Sequence, residues 1–140
     1  MPDVVERIEH DHREVEQMFA EFKSTQAKAK AVAICDELDK HTKGEDNAVY
    51  PVFAEELSDE KSKVKEASEE HKQARQLIGQ IRNTQDPDHL VELMQQLEQA
   101  IQHHVQEEET EMLPKARREL PVAELEELGE RFQDAKEKAG

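Results

Sequence analysis

Four histidines each lie in the middle of a separate apolar stripe with helical spacing, and two of them are followed by a glutamate four residues later. The six residues are His12, His41, Glu45, His71, His104 and Glu108. Leucine and isoleucine normally fill such a seam, because buried imidazoles and carboxylates are costly unless they are neutralised and bonded. The pattern therefore predicts a pair of metal ions held by these side chains.

A histidine and a glutamate four residues apart share one helical face, with their Cβ atoms about 5–6 Å apart. This spacing allows the imidazole to bind one ion while the carboxylate reaches the same ion or bridges to a second. Imidazole and carboxylate together suit iron, manganese or zinc better than a soft ion such as Cu(I). A structural zinc usually takes four ligands, so six converging ligands favour two ions in another kind of site.

Apolar residues spaced alternately by three and four positions predict the four helices that carry these ligands. The stripes are Val5, Ile8, His12, Val15, Phe19, Phe22; Ala31, Ile34, Leu38, His41, Glu45, Ala48, Val52; Val64, Ala67, His71, Ala74, Ile78, Ile81; and Leu90, Met94, Leu97, Ile101, His104, Glu108, Met112. Short loops make consecutive helices antiparallel neighbours, which brings the six groups to about one level. We predict an all-α fold, an antiparallel up-down four-helix bundle with a short C-terminal fifth helix on its outside.

Local signals predict several features of these helices. Asp3 is a suitable N-cap for the first helix, and Asp86, followed by proline, predicts the start of the fourth. Gly44 weakens the second helix by about 1 kcal/mol relative to alanine and permits either a close backbone approach or a bend. Pro51 and Pro114 predict kinks near the ends of the second and fourth helices.

The chain also repeats itself. The repeated residues are His41, Glu45 and Pro51, which recur 63 positions later as His104, Glu108 and Pro114, and His12, which recurs 59 positions later as His71. We therefore predict a single domain over residues 1–140, with helical hairpins over 1–57 and 58–117 and a C-terminal helix over 121–138. The two hairpins are expected to be pseudo-symmetric about the metal site.

Other polar residues near the seams are predicted to have structural roles. His103 and Glu107 form a rival pair, but the helical phase favours the pair one position later, with His103 flanking it. On an ideal helix Tyr50 points away from His41, so we favour core packing over an approach to the metal, which would require the second helix to distort at Gly44. Arg75 is expected to pair with an acid at a helix edge. Two histidines lie off the seams and are expected to be solvated: His10 and His89.

The formal net charge is −15, and 38% of the residues are charged. This balance argues against nucleic acid or anionic lipid as a partner and suggests a solubilising surface. The single cysteine, Cys35, cannot build an intrachain disulfide framework. The N-terminus has no signal-peptide pattern, and no stretch is long enough to span a bilayer. We expect a cytoplasmic protein that binds neither nucleic acid nor a membrane.

Four segments together resemble the hemerythrin-like (HHE cation-binding) domain family along essentially the whole chain. They are EHDHREVEQMF around His12, KHTKGEDNAVYPVF around His41, EEHKQARQLI around His71 and HHVQEEETEMLPKA around His104. The resemblance implies a four-helix bundle that holds two non-haem iron ions bridged by an oxo or hydroxo group. It also implies that Glu45 and Glu108 bridge the two irons, with manganese or zinc as less favoured ions.

The third helix departs from the pattern of the oxygen-carrying hemerythrins. Those proteins have five histidines at their irons, two of them four residues apart on the third helix. Here Arg75 and Ala67 occupy the positions four residues either side of His71. With octahedral ions, the missing histidine leaves about one exchangeable position on each metal, which favours turnover over reversible O2 binding at one iron.

We therefore expect a redox protein that acts on hydrogen peroxide or reactive nitrogen species, in the manner of a catalase or peroxidase. The implied partners are small molecules: O2, peroxide or NO. The alternatives are reversible O2 binding, oxygen or iron sensing, and iron storage or donation. Sensing is less favoured because no output domain accompanies the bundle, and storage because two irons per chain is a small capacity.

Overall fold

The computed structural model describes residues 1–140, and the predicted all-helical class is confirmed. The elements are α1 (Val4–Thr25), α2 (Lys28–Gly44), a π-helical turn π1 (Glu45–Val49), α3 (Tyr50–Glu56), α4 (Lys61–Asn83), α5 (Pro87–Glu107), a second π-helical turn π2 (Glu108–Met112), α6 (Leu113–Glu119) and α7 (Val122–Ala139). Because π1 and π2 join their neighbouring α-helices without a break, α2 to α3 and α5 to α6 each form one long helical rod. No helix has a segment both long enough and apolar enough to cross a membrane.

Capping interactions position the two helices whose starts were predicted. The Asp3 carboxylate accepts a hydrogen bond from the Glu6 backbone N–H at 2.9 Å, and the Glu6 carboxylate accepts one from the Asp3 N–H at 3.1 Å. This reciprocal pair satisfies two N–H groups that the first turn of α1 leaves free. At the start of α5, the Asp86 side chain accepts from the Asp88 N–H at 3.1 Å.

The two π turns begin at the two seam glutamates, a feature that the sequence did not predict. At the ends of π1 and π2, the backbone N–H groups of Tyr50 and Leu113 donate to the carbonyls of Glu45 and Glu108, five residues earlier. One residue separates the end of each turn from a proline, Pro51 or Pro114, whose missing N–H already interrupts the α-helical ladder. A π turn inserts extra backbone, which rotates the following side chains relative to an ideal helix.

A layer of polar residues divides the core into two apolar clusters. On α1 and α4 a seam histidine separates members of the two clusters. His12 lies between Ile8 and Val15 on α1, and His71 lies between Ala67 and Ala74 on α4. Each large aliphatic or aromatic side chain buried in these clusters contributes about 1.5–3 kcal/mol relative to its exposed state. The apolar layers therefore hold the polar layer in place and keep water away from it.

The predicted C-terminal helix, α7, packs against α1, α2 and π1. Its Phe132 is fully buried and meets the His41 ring edge-on, with the ring centroids 5.5 Å apart. A Cβ at Gly44 would lie 2.8 Å from both Phe132 and Lys136, so the glycine allows α7 to approach α2 closely. Gly44 therefore serves a close approach, which was one of the two roles predicted for it.

Candidate metal centre

The structure brings the six seam side chains together in the polar layer, and each residue is at most 6% exposed. Their ligand atoms form two groups that are each compact enough to hold an ion: His12, His41, Glu45 and Glu108 in one, and Glu45, His71 and His104 in the other. Glu45 belongs to both groups. These histidine and glutamate clusters can bind metal, and their arrangement suits two ions that share a carboxylate.

Short distances inside the layer show how the donors face one another. The Glu45 Oε1 atom lies 3.3 Å from His41 Nε2 and 3.2 Å from His71 Nε2, so one carboxylate oxygen reaches both groups. Glu108 lies 3.1 Å from His12 Nε2 through Oε1 and 3.7 Å from His104 Nε2 through Oε2. Both carboxylates therefore lie between a histidine of one group and a histidine of the other.

Several of these buried atoms lie close to one another but make no hydrogen bond of acceptable geometry. They are His12 Nε2, His41 Nε2, Glu45 Oε2 and Glu108 Oε1. Buried polar atoms are almost always paired, and each exception needs a physical reason. A metal ion would satisfy the unpaired imidazole nitrogens and carboxylate oxygens that converge in this layer. The residues therefore fit a metal centre.

A second carboxylate holds each imidazole from the outside. The four pairs are His12 Nδ1 with Glu109 at 2.6 Å, His41 Nδ1 with Asp11 at 2.8 Å, His71 Nδ1 with Asp46 at 2.9 Å, and His104 Nδ1 with Glu70 at 2.7 Å. An Nδ1–H that donates to a carboxylate fixes the orientation of the ring and leaves Nε2, the atom that would ligate a metal, directed inward. The outer carboxylates therefore orient all four imidazoles towards the polar layer.

Our sequence analysis did not identify these outer carboxylates, although the repeat contained a signal for them. Asp11 and Glu70 each precede a seam histidine and are related by the same shift of 59 positions. Asp46 and Glu109 each follow a seam glutamate and are related by the shift of 63 positions. An acid adjacent to each repeated ligand was therefore visible, but its partner on another helix was not.

Three of the outer carboxylates are in turn held by cations. Lys136 of α7 reaches Asp11 at 2.6 Å, Arg75 reaches Asp46 at 2.6 Å, and Arg13 reaches Glu109 at 2.6 Å. The predicted pairing of Arg75 with a helix-edge acid is confirmed. Half-buried ion pairs of this kind restrict the carboxylates, which in turn restrict the histidine rings.

Tyr50 is buried in the core, as predicted, but its phenol also reaches the polar layer, which an ideal helix would not allow. Its phenol oxygen is 2.5 Å from Glu108 Oε2, 3.3 Å from Glu45 Oε1 and 3.2 Å from His104 Nε2. The cause is π1, which ends at Tyr50 and rotates its side chain away from the direction expected on an ideal helix. The residue 63 positions later is Leu113, so the phenol breaks the pseudo-symmetry of the centre.

The remaining histidines lie outside the polar layer. His10 is 69% exposed and contacts Glu14, four residues later, at 2.8 Å. His89 is also exposed. His103 is 66% exposed and contacts Glu107 at 3.1 Å, so it flanks the centre as predicted.

Charged neighbours set the protonation of the centre in the metal-free protein. Burial opposes protonation of His41, but Glu45 and Asp11 outweigh burial and raise its pKa to about 10. Burial likewise opposes protonation of His71, while hydrogen bonds to Asp46 and Glu45 raise its pKa to about 9. Burial alone would raise the pKa of Glu45, but the two histidines hold it well below its usual range. Both imidazoles are therefore cationic at neutral pH and neutralise the buried carboxylates.

Metal binding at about pH 7.5 is expected to release about two protons per chain, because His41 and His71 must each free an Nε2 lone pair before they ligate. Since those protons compete with the metal, affinity should fall as the pH is lowered below the two raised pKa values. Calorimetric titration with Zn²⁺ in buffers of different ionisation enthalpy counts the protons. Binding without proton release would contradict this protonation scheme.

A comparison with protein families agrees with the geometry. The family model described as the hemerythrin HHE cation binding domain matches residues 3–116, which include all six seam histidines and glutamates but not α7. No curated protein and no solved structure matches the chain. The match covers most of the chain, and we conclude that this protein belongs to the hemerythrin HHE cation-binding domain family.

Proposed function

We propose that this protein holds two non-haem iron ions in the polar layer and uses them to act on hydrogen peroxide or reactive nitrogen species. The proposed ligands are His12 and His41 for one ion, His71 and His104 for the other, and Glu45 and Glu108 as bridges. The supporting observation is the set of buried, unpaired nitrogen and oxygen atoms that converge in two groups sharing Glu45. Manganese or zinc would suit the same donors less well as redox centres.

Tyr50 supports this proposal because it adds an oxygen donor on the side of His71 and His104. Its phenol is within 3.5 Å of both Nε2 atoms. Burial and the charges of Glu108 and Glu45 raise its pKa well above 10, so in the metal-free protein the phenol is neutral and donates to Glu108. A bound cation reverses this preference and favours the phenolate. Tyr50 thus becomes a candidate seventh ligand.

When bound, a pair of irons supplies Lewis acidity and redox equivalents. The chain supplies the surroundings. The apolar layers exclude bulk water, the outer carboxylates fix the four imidazoles, and Tyr50 holds a proton next to Glu108 Oε2. A phenol that does not ligate the metal can deliver this proton within the layer, and the phenolate that remains can accept one back.

The position of Tyr50 changes the basis for preferring turnover over O2 binding. If the phenol ligates, it fills one of the exchangeable positions that the missing fifth histidine leaves open. A phenolate carries negative charge, however, and so stabilises the more highly charged, oxidised metal. Reversible O2 binding needs the reduced metal, so an anionic oxygen donor favours peroxide or NO chemistry over O2 carriage.

The test of function is oxygen evolution from hydrogen peroxide by the iron-loaded protein. We expect turnover by the wild type and a loss of about 10- to 100-fold in the His71→Ala variant, because removing an imidazole weakens one metal position. His89→Ala removes an exposed histidine far from the seams and should behave like the wild type. A stable, reversible oxygenated spectrum without peroxide turnover would instead favour the O2-binding alternative.

Replacing Tyr50 with phenylalanine is expected to remove a visible charge-transfer band from the ferric protein, because such a band arises when a phenolate oxygen ligates the metal. Iron content should change little, since the six other donors remain. Absorption spectra of iron-loaded wild type and variant make the comparison. An identical visible spectrum would show that the phenol only donates its hydrogen bond to Glu108.

A further inference from the structure

A cleft between α4 and the end of α5 leads from the surface to the buried centre. Six carboxylates line it: Glu60, Glu66, Glu70, Glu107, Glu108 and Glu111. Lys63 contacts Glu111 at 3.3 Å and Lys115 contacts Glu60 at 3.3 Å. The other acids of the cleft have no lysine or arginine partner. The cleft is therefore strongly negative along most of its length, and His104 lies at its inner end.

Beside this cleft, the exposed imidazole of His103 meets two of the carboxylates that line it, Glu70 and Glu107. His103 Nε2 lies 3.1 Å from Glu107 Oε1 and 3.7 Å from Glu70 Oε2. The three residues offer ligand atoms that all lie within 4.8 Å of one another, close enough to share one ion. We call His103, Glu107 and Glu70 the outer cluster. Nitrogen and oxygen donors of this kind suit a divalent first-row metal.

Two contacts connect the outer cluster to the buried centre. Glu70 turns its other oxygen, Oε1, to His104 Nδ1 at 2.7 Å, so one carboxylate touches both places. Glu108 also lines the cleft, is 2% exposed, and has an Oε1 atom without a hydrogen-bond partner. An unpaired buried carboxylate oxygen at the inner end of an acidic cleft indicates a cation as the ligand, because a cation would satisfy it.

We propose that the outer cluster is a third, weaker cation site that captures a divalent metal ion and passes it along the cleft to the buried centre. The statement that the buried centre receives this ion rests on the proposed function of that centre. The exposed histidine and carboxylates bind a partly hydrated ion weakly enough to release it, and the negative cleft raises the local cation concentration. The buried layer then binds the ion more tightly, because as many as four donors converge there once its imidazoles have lost their protons.

The test compares rates of metal uptake in two double variants with the same change of charge. His103→Asn with Glu107→Gln removes two of the outer ligands. His10→Asn with Glu14→Gln makes the same substitutions in the exposed histidine–glutamate pair on α1, away from the cleft. Metal-free protein is mixed rapidly with Co²⁺, and the visible absorption of cobalt in the buried centre is followed with time.

The outer-cluster variant should load about 10-fold more slowly than the wild type, which is within the range by which charged clefts raise association rates. The α1 variant should load at the wild-type rate. All three proteins should reach the same final cobalt absorption from the buried centre and the same melting temperature, because neither pair is buried. Equal loading rates in the two variants would overturn the inference while leaving the proposed function intact.

An equilibrium titration with Mn²⁺, followed by electron paramagnetic resonance, tests the third site itself. The wild type should bind one weak ion beyond those in the centre, and only the outer-cluster variant should lose it. Retention of that ion in the outer-cluster variant would overturn the assignment. If the wild type bound only the weak ion, both the delivery role and the proposed function would be overturned. Normal filling of the buried centre at equal rates in the two variants would instead overturn the delivery role alone.

Discussion

Replacing Glu45 with alanine is expected to lower bound iron from about two ions per chain to one or none. Glu45 is fully buried, belongs to both ligand groups, and places one oxygen near His41 and near His71. Removing it takes a donor from both metal positions at once. It also removes the buried carboxylate on which the raised pKa values of both imidazoles partly depend, leaving only Asp11 to pair with His41 and Asp46 to pair with His71.

Glu108→Ala should have a similar effect, because Glu108 lies between His12 and His104 as Glu45 lies between His41 and His71. Glu14→Ala is the matched control, since Glu14 also follows a histidine by four residues but is 55% exposed. Metal is quantified in protein purified from iron-supplemented cells. If either buried variant retained two ions, Glu45 and Glu108 could not be the bridges.

Removing the metal is expected to lower the melting temperature by about 10 °C or more. An ion present at roughly 1,000 times its dissociation constant stabilises the folded state by about 4 kcal/mol, and a domain of this size shifts by a few degrees per kcal/mol. The fold should survive, because protonated His41 and His71 partly neutralise Glu45 when no metal is bound. The expected change is therefore a lower melting temperature with the helical content retained.

Circular dichroism at 222 nm before and after chelation measures both quantities. Returning Fe²⁺ under anaerobic conditions should restore the original melting temperature. The Glu45→Ala variant provides an internal control, since a chain that already lacks metal should respond little to the chelator. An unchanged wild-type melting temperature after complete chelation would mean that the polar layer does not depend on metal for its stability.

The spacing of residues along single helices was enough to predict much of this protein. Helical periodicity is a local property, so a histidine that replaces an aliphatic residue in a seam can be recognised without knowing its neighbours. The same reasoning predicted the capping residues Asp3 and Asp86 and the pairing of Arg75 with an acid. It also led to the family resemblance, which the match over residues 3–116 confirms. The ligand role of the six seam residues stays a prediction.

Properties that depend on phase or on contacts between helices were decided only by the tertiary structure. Tyr50 enters the centre because π1 changes the helical phase after Glu45, and an ideal helix cannot predict that rotation. The acid beside each ligand was visible in the sequence, but each acid serves a histidine on a different helix. Phe132 and Lys136 reach His41 and Asp11 from α7. The sequence by itself therefore determined that the four seam histidines and two seam glutamates are buried in the polar layer, since that follows from local periodicity. Their orientation, protonation and outer partners depend on distances between helices, which only the folded chain defines.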